Sequence, residues 1–168
     1  MKLQKIISLF LALLLIAAVF AGCKKKEASG ASDGDAAPEG IYITVDGTNL
    51  SVGIPFADVK DKLGAEVQPA EELTSCDENS DWRQTQHFFE KVTVAEDKDG
   101  IIDQVLVLEG DALLMGKVGI GATKADVIAV LGEPPADGNT AWGLYYDHAS
   151  VMLDEETGIV TGFILSKD

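Results

Sequence analysis

Twelve residues of this chain occur twice. GIPFADVKDKLG (53–64) and GATKADVIAVLG (121–132) both read G-x-x-x-A-D-V-x-x-x-L-G, six identities in twelve at a separation of 68 residues. Such a repeat constrains the fold strongly, because each copy must find the same kind of neighbours. Both copies read as a short helix. Pro55 fits the first helical position in copy one, and Thr123 with Asp126 is spaced as a capping box in copy two. Asp58 and Asp126 lie in the first turn, where the helix dipole favours an anion. Phe56, Val59 and Leu63 share one face, as do Val127, Val130 and Leu131. Gly64 and Gly132 read as stop signals.

The surroundings repeat as well. After copy one, Trp82 leads into HFFEKVTVAED, a turn at Asp99-Gly100 and IIDQVLVLEG. After copy two, Trp142 leads into GLYYDHASVMLDE, a turn at Thr157-Gly158 and IVTGFIL. Both pairs read as hairpins. A strand pair around Asp46-Gly47 precedes the first helix, and ALLMGKVG precedes the second. The unit is strand, helix, then two or three strands, used twice, over about 41–110 and 111–168. An α+β domain follows, with two tandem helix-plus-antiparallel-strand repeats forming one sheet and short helices on one face. Residues 41–168 are enough chain for a single core. The loop from Gly64 to Trp82 is eight residues longer than that from Gly132 to Trp142. An enlarged loop in one repeat is a plausible binding feature, and plain drift explains it equally well.

The first 40 residues are of another kind. MKLQK is basic, IISLFLALLLIAAVFAG (6–22) is apolar apart from Ser8, and small residues end it before Cys23. That is the layout of a secretory signal, with an apolar run at the short limit for spanning a bilayer. Residues 24–40, KKKEASGASDGDAAPEG, lack any large apolar side chain and read as a flexible tether. VFAGC resembles the lipobox of bacterial lipoproteins, with Phe20 standing where the family prefers leucine. The resemblance implies cleavage between Gly22 and Cys23, a diacylglyceryl group on the Cys23 sulfur, and anchoring to the outer face of the cell membrane. Two acyl chains anchor stably where one does not, and Lys24, Lys25 and Lys26 would lie beside the headgroups.

Charge narrows the function. The chain has 28 acidic and 13 basic residues, a net charge of −15, and loss of Lys2 and Lys5 with a signal would make it more negative. The acids are spread along the chain, which suits a soluble extracytoplasmic domain and argues against a nucleic-acid partner. With Cys23 lipidated, Cys76 is the one remaining thiol, so no intrachain disulfide or cysteine metal cluster can form. Cys76 reads as a buried or inert thiol.

The repeat domain as a whole resembles the superfamily of β-lactamase-inhibitor protein and the SmpA/OmlA lipoproteins. GATKADVIAVLGEPP, followed by an aromatic strand, carries the likeness most closely. The two-copy layout, with its lipidated N-terminus and Ser75-Cys76 in the first long loop, also resembles surface lipoproteins of Gram-positive anaerobes. These motifs are helix caps and core positions, so they imply a fold and carry no chemistry.

Chemistry is sparse. DENSDW (77–82) and AEDKDG (95–100) resemble calcium loops, but the sixth and twelfth positions fail in the first and the first and twelfth in the second. An irregular cation site on Asp77, Asn79 and Asp81 is the weak remainder. His87 and His148 lack zinc spacing, and a Cys76–His87 nucleophile pair has no signature around it. No catalytic residue, metal or cofactor is expected. The aromatics beside the strands, Trp82, Phe88, Phe89, Trp142, Tyr145 and Tyr146, should mostly be core. Period-two alternation turns part of them outward, and Trp82, Phe88, Trp142 and Tyr145 are the candidate partner-binding residues. The expectation is a monomeric, non-catalytic binding or envelope-assembly module that meets a protein or envelope ligand. An inhibitor of a secreted or envelope enzyme is the second reading, and an envelope hydrolase the remote third.

Overall fold

The computed structural model describes residues 40–76 and 80–167, within a compact unit spanning Asp35–Asp168. The signal, Gly22, Cys23, the tether, Asp77 and Asn79 lie outside the described residues. Asp46 and Gly47 both have positive φ (48° and 82°). That two-residue turn matches the twist of paired strands and joins β1 (Ile43–Val45) to β2 (Thr48–Leu50). Met115, Gly116 and Lys117 similarly connect β7 (Leu113–Leu114) to β8 (Val118–Gly119). β1 pairs antiparallel with β7, which gives a four-stranded sheet in the order β2-β1-β7-β8.

The larger sheet has seven antiparallel strands. β3 (Gln68–Thr74), β4 (Arg83–Phe88), β5 (Thr93–Asp97) and β6 (Ile102–Val107) come from the first half of the domain. β9 (Gly143–Tyr146), β10 (Ala149–Leu153) and β11 (Val160–Ser166) come from the second. The order is β3-β4-β5-β6-β11-β10-β9, so the two halves meet at the β6–β11 pair. The protein is therefore mostly β with two antiparallel sheets, where a single sheet was expected. The short hairpins that precede each motif pair with each other through β1 and β7 and form the second sheet.

The same backbone ties hold each copy of the motif. The Gly53 amide donates to the Ile102 carbonyl and the Gly121 amide to that of Val160. Ile102 N–H returns a bond to Ile54, and Val160 N–H returns one to Ala122. The amides of Phe56 and Lys124 donate to the carbonyls of Gly100 and Gly158. Beyond these ties the copies differ. α1 (Lys124–Leu131) is an α-helix whose Thr123 and Asp126 form a reciprocal capping box. Copy one is two successive 3₁₀ turns, Phe56–Asp58 and Lys60–Lys62, and Pro55 is the residue before the first turn rather than within it. Pro55 stands where Thr123 stands in copy two and offers no side-chain oxygen to the amide of Asp58, so the first turn lacks its cap.

Phe56, Val59 and Val127 point from these turns into the core, with Val94, Val105, Val107, Val151, Phe163 and Leu165 from the inner face of the large sheet. Leu63, Val130 and Leu131 pack at its margin. The extra residues before Trp82 are mostly β3, an edge strand with every side chain exposed. Pro69, Glu71 and Glu72 blunt that edge against further pairing.

Candidate functional site: the outer face of the large sheet

Alternation along each strand fixes what the outer face displays. His87 and Val94, buried opposite each other, face inward. Phe88 and Thr93 therefore face outward and continue across the register through Leu106, Ile164, Ser150 and Tyr145. In the next row Met152 of β10 lies opposite Gly143 and Gly162. A side chain at Gly162 would collide with the Met152 methyl and meet Leu108 Cδ2 at 3.2 Å. One at Gly143 would meet the Tyr145 hydroxyl at 2.9 Å. The two glycines thus let Met152, Leu108 and Tyr145 lie flat against the strands. Trp142 stands edge-on to Tyr145, ring centres 5.9 Å apart at 75°. Leu108 is 57% exposed and Trp142 60%. Among the described residues no element covers this apolar surface.

Its surroundings are acidic. Glu90 and Glu109 adjoin Leu106 and Leu108 in a shallow groove of about 350 Å³. Lys91 shares that groove but is held by Asp46 (2.6 Å) and Asp111 (2.9 Å). Hydrogen bonds that its ammonium donates to those two carboxylates hold it well above the usual lysine range. Asp154, Glu155 and Glu156 follow β10 directly, next to the carbonyl of Trp142.

Of the four aromatic candidates, Phe88, Trp142 and Tyr145 fall on this surface. Trp82 is 47% exposed but stands apart, at the far end of β4. There it lines a second groove of about 470 Å³, together with Gln84, Asp103, Gln104, Lys98 and Lys167. Most of the aromatics were expected in the core, yet only Phe89 of the six is buried. β-branched and aliphatic residues already fill the inner face, so the rings lie outward or at its margin. The aliphatic members of the outer surface, Leu106, Leu108, Met152 and Ile164, escaped the sequence reading. The alternation in LVLE and SVML was the signal for them.

His87 has an unexpected role. Its Nδ1 lies 2.9 Å from Glu66 Oε1 and its Nε2 3.2 Å from Glu96 Oε1. The ring stacks on Phe56, centre to centre 4.2 Å. Lys60 adds a contact of 3.9 Å to Glu66. The cluster pins the first motif to the sheet. Cys76 is an exposed thiol, so of the buried or inert readings burial is the one overturned. No group of three or more His, Cys, Asp or Glu among the described residues is placed to hold a metal ion. Among them, no helix is long and apolar enough to cross a membrane. No family model, no curated protein and no solved structure matches the chain.

Proposed function

We propose that the protein is a lipoprotein, anchored by lipidated Cys23 to the outer face of a bacterial cell membrane, whose tethered domain is a non-catalytic binding module. The observation that carries the binding role is the uncovered surface of Phe88, Leu106, Leu108, Trp142, Tyr145 and Met152. A sheet face turned to water is ordinarily polar, and contiguous apolar surface open to solvent marks interaction sites. Indole, phenol and thioether groups are also those enriched where proteins meet. The acidic surroundings suit a protein partner with an apolar patch ringed by Lys and Arg, and that charge pattern would raise its association rate. The basic n-region, apolar run and Cys23 support the anchor.

The finer reading of the fold, tandem repeats of the β-lactamase-inhibitor-like type, belongs to this proposal. The paired backbone ties of the two motifs and the meeting of the two halves at β6–β11 support it. It keeps the inhibitor alternative in view.

Photocrosslinking in membranes tests the binding role. A photoreactive residue at 108 or at 142 should trap the same partner, while one at exposed Lys62 on the opposite side traps none. Leu108→Asp, placed with the reporter at 142, should abolish the adduct. Equal labelling from all three positions overturns the proposal. An enzyme that loses activity when trapped selects the inhibitor reading over a scaffold.

A further inference from the structure

We propose that the groove walled by Trp82 is a binding site for a neutral oligosaccharide, separate from the apolar surface and independent of its partner. Three observations converge there. First, the groove holds about 470 Å³, a volume typical of small-ligand sites. Secondly, its formal charges balance: Arg83, Lys98 and Lys167 line it together with Asp97, Asp99 and Asp103. In a chain of net charge −15 the lining itself is balanced, with Asp81 and Glu72 pairing onto Lys98 and Arg83 from outside it. Several of its charges are already engaged. Lys167 Nζ lies 3.7 Å from Asp97, and Lys98 donates at 2.7 Å to Asp81 outside the groove. An ionic ligand would have to compete with these pairs, whereas a neutral one would not.

Thirdly, the polar groups are those that read hydroxyls. Gln84 Nε2 donates to Asp103 Oδ1 at 2.9 Å, which fixes the amide and the carboxylate side by side. Burial chiefly pushes the Asp103 carboxyl above its ordinary value, so it sits in a partly dry place. Register brings Gln104 and Ser166 next to each other across β6 and β11. Side-chain amides and carboxylates on a rigid sheet offer paired donors and acceptors to neighbouring hydroxyls. The half-exposed indole of Trp82 supplies a flat apolar wall for the C–H face of a sugar ring. A groove that stacks one side of a ring and hydrogen-bonds its edge selects polyhydroxylated rings over plain apolar ligands.

The test uses the full chain in detergent, with both tryptophans replaced biosynthetically by 5-fluorotryptophan. Trp82→Phe assigns the two ¹⁹F resonances. The probes are three uncharged tetrasaccharides, β-1,4-linked N-acetylglucosamine, β-1,4-linked glucose and α-1,4-linked glucose, with a sulfated tetrasaccharide as the charged comparison. The expected result is a saturable shift of the Trp82 resonance alone with at least one uncharged probe, half-complete below about 10 mM. Gln84→Ala and Gln104→Ala should each weaken binding by about tenfold, with an unchanged urea midpoint in Gln104→Ala separating lost contacts from lost folding. An unmoved Trp82 resonance with every uncharged probe overturns the proposal. So do tighter binding of the sulfated probe and unchanged affinity in both glutamine variants.

Discussion

Replacing His87 with Phe isolates the two carboxylate contacts from the packing of the ring. Phe keeps the stack on Phe56 and nearly the same volume, so little of the destabilisation can come from a cavity. It removes the nitrogens that face Glu66 at 2.9 Å and Glu96 at 3.2 Å. Both carboxylates are about three-quarters covered, with side-chain exposures of 26% and 23%. A buried polar group left without its partner costs about 1–3 kcal/mol. Partial access to water puts each carboxylate at the lower end, so the pair should lose about 2–4 kcal/mol, a large share of the about 5–15 kcal/mol of a typical domain. Urea unfolding should show a lower midpoint with an unchanged slope. Adding Glu66→Gln and Glu96→Gln to His87→Phe removes the stranded charges and should restore at least half of the loss. A His87→Phe protein within about 0.5 kcal/mol of wild type, or a triple variant no better than the single one, would refute the reasoning.

Thr123→Ala removes the hydroxyl that caps α1 and should cost about 1 kcal/mol in thermal or urea unfolding. The Thr123 hydroxyl, followed by its backbone N–H, holds the Asp126 carboxyl below its ordinary value. That contribution is present above about pH 4 and fades as pH falls through the folded-state value, so Thr123→Ala should flatten the acid limb of the stability curve. Asp103 has the opposite sign. Its carboxyl is raised chiefly by burial, so stability should fall as pH rises from the ordinary aspartate value through the folded one, and Asp103→Asn should remove that fall. Cys23→Ala should leave an uncleaved, unlipidated chain by intact mass and abolish the acyl-anchored form in detergent partition. An identical mass increment in both proteins would exclude the lipid.

Local interactions were the readable part of the sequence. The capping box of α1 and the turns at Asp46-Gly47, Asp99-Gly100 and Thr157-Gly158 depend on residues a few positions apart, and the structure has each of them. Strand alternation was legible for the same reason. The division into two sheets was not, because it rests on β1 choosing β7 as a neighbour about 70 positions away. The 3₁₀ form of copy one turned on a missing cap at Pro55, which the shared motif concealed. Cys76 and Trp82 flank residues 77–79, where sequence offered no packing partner to settle their exposure. His87 lacked any local motif, since Glu66 and Glu96 reach it from a loop and from β5.

The two three-stranded runs, β4-β5-β6 and β9-β10-β11, share an apolar inner face, whereas their shared outer face changes character from one end of the strands to the other. Inside, both supply aliphatic or aromatic packing: Val94, Ile102 and Val105 in one, and Leu144, Val151, Phe163 and Leu165 in the other. Outside, the end of the sheet near Trp82 presents Gln84, Gln104 and Ser166, while the other end presents Phe88, Leu106, Met152, Ile164 and Tyr145. The inner pattern is demanded by burial, which contributes about 1.5–3 kcal/mol for each large side chain. Nothing in folding demands the outer pattern, and its apolar half exposes surface that a soluble domain is better without. An amide-lined groove at one end of a sheet and an apolar aromatic surface at the other fit the two unlike ligands proposed above. Replacing Leu106, Met152 and Ile164 with Gln should therefore abolish binding at the apolar end while leaving the unfolding midpoint nearly unchanged. A large loss of stability on that replacement would mean the outer face serves the fold instead.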